Sequence, residues 1–490
     1  MNTSLSTTSN AALRIGKSAL KRAWSWTAIV AGMATAALGQ TPCVDGLAGQ
    51  YPCQDMDLMC VRSFEELGGM PPGNGNDCWG WSHDGREFVL FGRSDGTSII
   101  EVTDPVNPVM LANVPTATVP SLWRDIKVIG DVAYIVSEAG AHGLQVVDLG
   151  MVPNLPPGTL LDPIAFYAGF GNAHNVVANP ETGYIYGVGT DTFSGGLHIV
   201  DVNDPLSPNL VGSWDESYIH DAQAVVYNGP DQDHAGREIV FAFCGYGGVR
   251  IIDVEDKTDC QTLSMMEDTS WVYVHQGWLT EDHRFIFMND EIDEVSGVAD
   301  FTRTWVLDVQ DLDNPQVVGF HESNLEVTDH NLYTHQGKVY QANYYAGLQV
   351  LDIVDPASAE LALSASFDTN PFWNAAGTGG GAWSVYPYFE SGNIAISTQS
   401  HFFMVRPSGV ISVPEVAPTE PRLHIEAGEG WARIWTEEQG VATVLDMTGR
   451  IQAEFPLVGA GAQTVLTEGW PTGAYVVVLP SGRRGRWMVN

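Results

Sequence analysis

Basic residues are scarce in this 490-residue chain: 22 Lys and Arg stand against 59 Asp and Glu, for a formal charge of -37. Such a surface repels phosphate backbones and anionic lipid head groups, which argues against nucleic acid and membrane surfaces as partners. Helical periodicity is also lacking, whereas 52 glycines and 27 prolines are typical of a turn-rich β protein. No P-loop and no H-E-x-x-H motif is present, so nucleotide binding and zinc-protease chemistry lack their usual sequence support.

Acidic residues are absent from the first 39 positions. Four basic residues there precede an uncharged, mostly apolar run over residues 23–38, and small residues lead to Gly39. This order predicts a signal peptide, residues 1–39, that is removed before Gln40. A membrane anchor is the alternative, but the run falls short of the ~20 residues that span a bilayer. We therefore expect an exported mature chain without a transmembrane segment.

Cysteine is scarce but even in number, with six residues in the expected mature chain. They are Cys43, Cys53, Cys60, Cys78, Cys244 and Cys260. In an exported protein this pattern predicts two disulfides among the first four, with their connectivity open, and a third between Cys244 and Cys260. A zinc site is the alternative, although no C-x-x-C pair is present.

A repeat of about 50 residues fills the chain from residue 78 to residue 410. Each copy has a glycine, alternating apolar residues, an acidic marker and often a D-P-x-x-P turn. The marker positions are Glu101, Asp148, Asp201, Asp253, Asp308 and Asp352, and Arg406 takes this place in a degenerate seventh copy. Each period has room for about four short strands, which predicts an all-β, seven-bladed β-propeller.

The seventh copy lacks the outer apolar strand that follows other copies. Residues 58–64, upstream of the first copy, resemble that missing strand. We therefore predict that the Cys-rich segment 40–77 closes the propeller, with 58–64 as the outer strand of the seventh blade. A disulfide from Cys60 could lock this closure.

Four consecutive repeats open with a histidine: His174, His220, His275 and His330. Innermost strands line the channel of a propeller, so we expect four imidazoles in an arc at one depth. Two interpretations stay open. Neutral imidazoles with a carboxylate would bind a divalent metal. Alternatively, each histidine is a structural tether that hydrogen-bonds a neighbouring strand.

Five acidic residues could complete such a metal site: Asp125, Glu138, Asp221, Asp290 and Glu291. The last two belong to the acidic loop 289–294, which could also hold Ca²⁺ through oxygen ligands, although it lacks EF-hand spacing. Five tryptophans also recur near the repeat starts, where they pack between blades or stack on sugars or peptides at the channel mouth. They are Trp79, Trp81, Trp123, Trp278 and Trp383. No residue is assigned a catalytic role.

The C-terminal region differs in composition from the repeats. Residues 411–421 are rich in proline and acid, as in a linker. Residues 422–490 alternate short apolar runs with turns and end near a basic run at 483–486. This pattern predicts a small C-terminal β-sandwich.

Long ordered runs between about residue 43 and residue 406 resemble the choice-of-anchor B family of LVIVD-repeat propellers. They include CVDGLAGQYPCQDMDL, NDCWGW, WRDIKV, VSEAGAHGLQVVDL, HDAQAVVY, HQGWLTED, DHNLY and GAWSVYPYF. The tail, with LDMTGR and GWPTGAYVVVL, resembles a type IX secretion sorting domain. These resemblances imply that type IX machinery takes the chain to the outer surface of a Gram-negative bacterium or releases it. The propeller family brings no established activity.

Three functions fit these patterns. The leading expectation is a secreted or surface-attached, non-enzymatic module that binds an extracellular protein or glycan. The alternative is a metal-dependent, hydrolase-like enzyme that uses the histidine arc and one of the nearby carboxylates. A structural surface-layer component, which would self-associate, is the third.

Overall fold

The computed structural model describes residues 39–409 and, beyond them, 424–428, 431–436, 439–446, 450–458, 461–467, 469–480 and 484–489. The predicted signal peptide, apart from Gly39, and the predicted linker lie outside this part of the chain. The described residues are almost entirely strands and turns, which confirms the all-β prediction. Their short helices are Val152–Asn154, Phe193–Gly195, Asp293–Ser296 and Pro356–Ser358. None of these helices is long and apolar enough to cross a membrane.

Within residues 39–409 the strands form seven mainly antiparallel sheets. Sheet 1 contains Gly75–His83, Arg86–Arg93, Gly96–Glu101, Val109–Pro115 and Thr159–Leu160; sheet 2 contains Arg124–Ile129, Val132–Ser137, Leu144–Asp148 and Ala165–Tyr167. Sheet 3 contains Asn175–Asn179, Tyr184–Val188, Leu197–Asp201 and Asn209–Trp214; sheet 4 contains Asp221–Val226, Glu238–Phe243, Val249–Asp253 and Gln261–Met266. Sheet 5 contains Val274–Leu279, Phe285–Asp290, Arg303–Asp308 and Gln316–Glu322. Sheet 6 contains Asn331–His335, Lys338–Ala342, Leu348–Asp355, Glu360–Phe367, Tyr51–Gln54 and Leu47–Ala48; sheet 7 contains Ala382–Tyr386, Ile394–Thr398, His401–Pro407 and Met56–Ser63.

The first-named strands of the seven sheets form a closed ring. Each contacts the first strand of the next sheet, and Ala382–Tyr386 of sheet 7 contacts Gly75–His83 of sheet 1. Sheets that radiate from a common ring of inner strands define a β-propeller. The inner strands therefore line a central channel.

Alternating apolar residues hold neighbouring sheets together. On strand Leu144–Asp148, Leu144 and Val146 belong to the core between sheets 2 and 3. Val147 points the other way, into the core between sheets 1 and 2. Successive side chains of a strand face opposite sides, so one repeated pattern supplies both cores.

Sheet 7 pairs an N-terminal strand with the last strand of residues 39–409. Met56–Ser63 is its outer strand and pairs beside His401–Pro407, so the segment singled out in the sequence occupies the edge that the seventh repeat leaves open. Main-chain pairing continues past the strand, where the Phe64 N–H donates to the Ser400 carbonyl at 2.9 Å. Met59 and Cys60 are buried there.

Cys43–Cys53 is the disulfide formed among the described residues. The other predicted disulfides are wrong, because Cys60, Cys78, Cys244 and Cys260 are free thiols. Cys60 and Cys78 share one apolar core and pack as small hydrophobic side chains. Burial raises the pKa of Cys60 to about 12. Strand pairing and packing, without a disulfide from Cys60, hold the closure.

Cys244 and Cys260 lie at opposite ends of sheet 4. Cys244 follows Phe243 at one end of the second strand, whereas Cys260 precedes Gln261 at the other end of the outer strand. About five residues of extended strand separate the two ends, or roughly 16 Å. A disulfide needs Cα atoms within about 7 Å, so the short sequence spacing between these cysteines was misleading.

The described residues divide into two compact units between Arg406 and Pro407, and the loop 390–392 groups with the C-terminal unit. The C-terminal unit has two sheets. One contains His424–Gly428, Trp431–Thr436 and Gly461–Leu466; the other contains Ile451–Val458, Gln439–Asp446, Gly473–Val478 and Arg484–Val489. Ile434 of the first sheet and Val444 and Val477 of the second belong to one buried apolar cluster.

Candidate functional site in the central channel

Four histidines stack along the channel wall. His174, His220, His275 and His330 stand at the starts of the inner strands of sheets 3 to 6. Their ring centroids lie 4.2, 4.3 and 4.3 Å apart in that order. The regular repeat thus brings the four imidazoles together, because equivalent residues of neighbouring inner strands occupy neighbouring positions.

Three of these rings are tethered through the same nitrogen. Nδ1 of His220 lies 3.0 Å from the His275 carbonyl, Nδ1 of His275 lies 3.0 Å from the His330 carbonyl, and Nδ1 of His330 lies 2.5 Å from the Trp383 carbonyl. A carbonyl only accepts, so each Nδ1 carries the proton and donates it. Each Nε2 of a neutral ring then keeps its lone pair.

Burial keeps these rings neutral. It lowers the pKa of His330 to about 3, and it lowers the pKa values of His220 and His275 well below the usual range, with neighbouring histidines adding to the effect. Neutral imidazole with Nδ1 bonded to a carbonyl is the form in which Nε2 binds metal. The tether and ligand roles are therefore compatible.

Glu291 lies beside two of the four stacked histidines. Its carboxylate oxygens lie 3.7 Å from His275 Nε2 and 3.9 Å from His330 Nε2. The Tyr344 hydroxyl donates to Glu291 Oε1 at 2.6 Å and orients the carboxylate. One ligand atom from each of His275, Glu291 and His330 lies within 4.8 Å of the others. Two imidazoles and one carboxylate on one face suit a divalent transition metal and leave positions open for other ligands.

The space in front of these ligands is small. The cavity measures about 50 Å³, enough for an ion and a few water molecules. Its lining comprises Asp77, Trp123, Arg124, His174, Asn175, His220, His275, Glu291, His330, Asn331, Tyr344 and Trp383. Arg124 also lines the cavity, but its guanidinium donates to the Arg93 carbonyl, to His142 Nε2 and to Thr116 Oγ1.

His174 differs from the other three histidines. Its Nδ1 lies 2.5 Å from Glu138 Oε1 instead of a carbonyl. Glu138, one of the predicted metal ligands, therefore orients His174. The neighbouring Asn175 side chain donates to the His220 carbonyl at 3.0 Å and repeats the tether between sheets 3 and 4.

Asp125 and Asp221, predicted as candidate ligands, have other surroundings. Asp125 binds Lys127 Nζ at 2.7 Å and accepts the Val176 N–H at 2.9 Å. Burial favours protonation of Asp125, but Lys127 and a hydrogen bond from Asp77 outweigh it and lower its pKa. Burial raises the pKa of Asp221 to about 7. These residues form a buried charge cluster, and the structure does not group them with the His275–Glu291–His330 ligand atoms.

Asp290 also serves the backbone. Its carboxylate accepts the N–H groups of Val272 and Tyr273 at 2.5 and 2.8 Å. It orders the loop that leads into sheet 5. Of the acidic candidates, Glu291 is the one that the structure groups with His275 and His330.

Exposed aromatic side chains stand near the cavity. Trp123 lines it and is 43% exposed. Tyr246 is 82% exposed and packs edge-on against Tyr273, with ring centroids 4.9 Å apart. The Tyr273 ring in turn packs edge-on against His220, with centroids 5.3 Å apart. Trp373 is 60% exposed and lies 6.4 Å from Tyr345, the residue after Tyr344. We call Trp123, Tyr246 and Trp373 the aromatic rim.

The five tryptophans of the repeat starts have mixed roles. Trp79, Trp81 and Trp278 pack in or against the cores between sheets, and Trp383 lines the cavity while 9% exposed. Trp123 alone among these five is exposed. Sequence analysis missed Tyr246, Trp373 and Tyr344, which lie in loops outside the repeated pattern that identified the histidines.

Residues 92–96, Gly-Arg-Ser-Asp-Gly, carry the letters of the G-x-S-x-G nucleophile elbow but not its structure. They form the hairpin between Arg86–Arg93 and Gly96–Glu101, with no helix after the serine. Ser94 is 6% exposed and its hydroxyl accepts the Asn74 N–H at 3.1 Å. A nucleophile elbow needs a strand–turn–helix and an exposed serine, so this serine is structural.

Comparison with known proteins finds one repeat family and several solved structures to which the chain is similar. Residues 183–216, which span strands of sheet 3, match the family described as the LVIVD repeat. No curated protein matches the chain. Among solved structures, the chain is similar to the β-propeller domain of Cps50 (Swd1) from Myceliophteria thermophila, at 11% identity and a TM-score of 0.46, covering 71% of this chain and 99% of that one. It is also similar to the WD40 β-propeller domain of Doa1, at 10% identity and a TM-score of 0.47, covering 72% and 98%.

Proposed function

We propose that this chain is an extracellular binding module, built as a seven-bladed propeller with a C-terminal β-sandwich, whose ligand docks at the channel mouth. The ligand contacts the aromatic rim and coordinates a divalent metal held by His275, Glu291 and His330. One observation carries this proposal: two imidazole nitrogens and one carboxylate converge in a cavity that the exposed Trp123 also lines. The seven sheets and their closed ring of inner strands support seven blades.

The chemistry of the mouth favours a glycan over a peptide. Exposed Trp and Tyr rings present flat apolar faces on which sugar rings stack, while their polar edges stay hydrated. A bound divalent metal would supply coordination to paired hydroxyl groups. The strongly acidic composition disfavours polyanionic ligands.

Glycan and peptide arrays probed with residues 40–490 test this function. We expect binding to a restricted set of glycans, weakened at least tenfold by Trp123→Ala or Trp373→Ala and reversibly abolished by a chelator. Phe320→Ala is the control, because Phe320 is an exposed aromatic on the outer strand of sheet 5. Absence of any ligand, or equal binding by the rim variants and wild type, would contradict the proposal.

A metal-dependent hydrolase is the second candidate. The open coordination positions and the room for water in the cavity favour it. A metal bound there would polarise water or a substrate oxygen. Glu138, hydrogen-bonded to His174, would accept a proton. Turnover of ester or phosphoester substrates that is lost in Glu138→Gln but retained in Glu390→Gln would support this role, and no turnover by metal-loaded protein would exclude it.

Export and sorting remain part of the proposal. The N-terminal run of residues 1–39 and the likeness of the tail to a type IX sorting domain support passage to the outer surface of a Gram-negative cell. Deletion of residues 422–490 should leave the chain on the periplasmic side of the outer membrane. Fractionation of expressing cells checks this, and an unchanged distribution would count against sorting by the tail.

A further inference from the structure

A second cavity lies at the other end of the inner strands. The channel histidines stand where these strands begin, whereas this cavity lies where the strands Val274–Leu279 and Asn331–His335 end. Its volume is about 280 Å³, compared with about 50 Å³ for the histidine-lined cavity. Small-molecule sites occupy roughly 300 Å³ and upwards, so the second cavity has room for a small organic molecule.

Two aromatic rings form part of the wall of the second cavity. Trp278 lies on the inner strand of sheet 5, and Tyr388 follows the inner strand of sheet 7. Both are half-buried, and both pack edge-on with Tyr333, whose ring centroid lies 5.0 Å from Trp278 and 6.2 Å from Tyr388. The face of an indole or phenol ring carries partial negative charge, so these rings attract a cation.

The charge around the second cavity is negative. Among the described residues that line it, Glu281 carries the one carboxylate, and neither Lys nor Arg is present. The Gln336 N–H donates to Glu281 Oε1 at 2.7 Å and orients the carboxylate. Burial lowers the pKa of His283, although Glu181 and Asp282 act in the opposite direction, so this ring is uncharged at neutral pH. A positively charged ligand is therefore favoured over an anionic one.

We propose that the second cavity binds a small organic ammonium ion, held by the rings of Trp278 and Tyr388 and by the charge of Glu281. Aromatic rings recognise quaternary ammonium groups because the positive charge is spread over methyl groups that also contact the rings. A metal ion fits less well, because the described histidine and carboxylate side chains here do not form a group that could share one ion. This site is independent of the function proposed for the opposite mouth of the channel.

Calorimetric titration of residues 40–490 with choline tests the site, at pH 8 so that histidines are neutral. The matched ligand is 3,3-dimethyl-1-butanol, which has the shape of choline with carbon in place of the charged nitrogen. We expect one choline per chain and at least tenfold weaker binding of the neutral analogue. Glu281→Gln should weaken choline binding at least fivefold, whereas Glu326→Gln, at an exposed carboxylate outside the cavity, should bind as wild type does.

Variants of Tyr388 separate the aromatic face from the hydroxyl group. Tyr388→Phe should bind choline as wild type does, because the Tyr388 hydroxyl has no hydrogen-bond partner among the described residues. Tyr388→Leu should bind at least fivefold more weakly, with its melting curve showing that it remains folded. The His275→Ala/His330→Ala double variant should retain choline binding, which separates this site from the channel metal. Absence of choline binding at millimolar concentration, equal affinity for the neutral analogue, or unchanged affinity in Glu281→Gln would overturn the proposal.

Discussion

At the scale of single residues, the channel histidines use their two nitrogens for different purposes. Nδ1 of His220, His275 and His330 ties one sheet to the next through a backbone carbonyl. Nε2 is left with its lone pair, and in His275 and His330 it faces Glu291. An architectural tether therefore also preorganises a ligand, which explains why the repeated pattern alone could not separate these roles.

His198, away from the channel ligands, provides a prediction for acid stability. It is 1% exposed between the Tyr167 hydroxyl and Thr192 Oγ1, and burial lowers its pKa to about 4. The unfolded chain, with a histidine pKa near 6.5, binds the proton first, so stability is lost as pH falls from about 6.5 to about 4. This residue should account for about 3 kcal/mol of that loss.

Urea unfolding of wild type and His198→Gln between pH 7.5 and pH 4 measures this contribution. The difference in unfolding free energy between the two proteins should shrink steadily over that range. His83→Gln, at a partly exposed histidine, is the control. Parallel pH profiles for wild type and His198→Gln would contradict the assignment.

Thiol accessibility gives a second prediction at this scale. Mass spectrometry of the unreduced protein should show one disulfide, Cys43–Cys53, and four alkylatable thiols after unfolding. Cys60 and Cys78 should be unreactive in the folded chain because they are buried. A Cys244–Cys260 disulfide in the mass map would contradict the arrangement of sheet 4.

At the scale of elements, the repeat and its closure were accessible from sequence. Glycine, alternating apolar residues and an acidic marker recur because each sheet repeats the same inward and outward packing. Because the last repeat lacks an outer strand, residues 58–64 were predicted to supply it. In the structure this segment is part of the strand Met56–Ser63 and of Phe64, which continues the pairing. Cysteine pairing and loop residues such as Tyr246 could not be predicted, because they depend on distances between elements that no local pattern encodes.

Truncation tests the closing strand. Chains that begin at residue 40 or at residue 55 retain Met56–Ser63, whereas a chain that begins at residue 65 loses it and exposes the edge of His401–Pro407. We expect the last of these to melt at least ten degrees lower and to self-associate, since an unpaired edge strand recruits other strands. Equal melting of the chains that begin at 55 and 65 would show that closure does not depend on this strand.

At the scale of the whole molecule, charge opposes compactness. A formal charge of -37 places many carboxylates close together, and their repulsion weakens as salt screens it. Several carboxylates are in addition buried near the channel, where a bound cation or protonation would offset the cost of burying their charge. The chain therefore combines a β-propeller scaffold with an unusually high density of carboxylates.

Salt should consequently stabilise this protein. We expect the melting temperature to rise by several degrees between about 10 mM and 500 mM NaCl, because the Debye length falls from roughly 30 Å to below 10 Å. KCl should act equally, since screening depends on ionic strength. A melting temperature that falls with salt would contradict a dominant role for charge repulsion.

Metal analysis of residues 40–490 tests the channel site most directly. Protein equilibrated with Zn²⁺ or Mn²⁺ and then freed of unbound ions should retain one transition-metal ion per chain. The His275→Ala/His330→Ala double variant should retain less than a tenth of that amount while remaining folded, and His335→Ala, at the far end of strand Asn331–His335, should bind as wild type does. Wild-type protein without metal, or a double variant that keeps it, would contradict the account and leave the histidines as tethers alone.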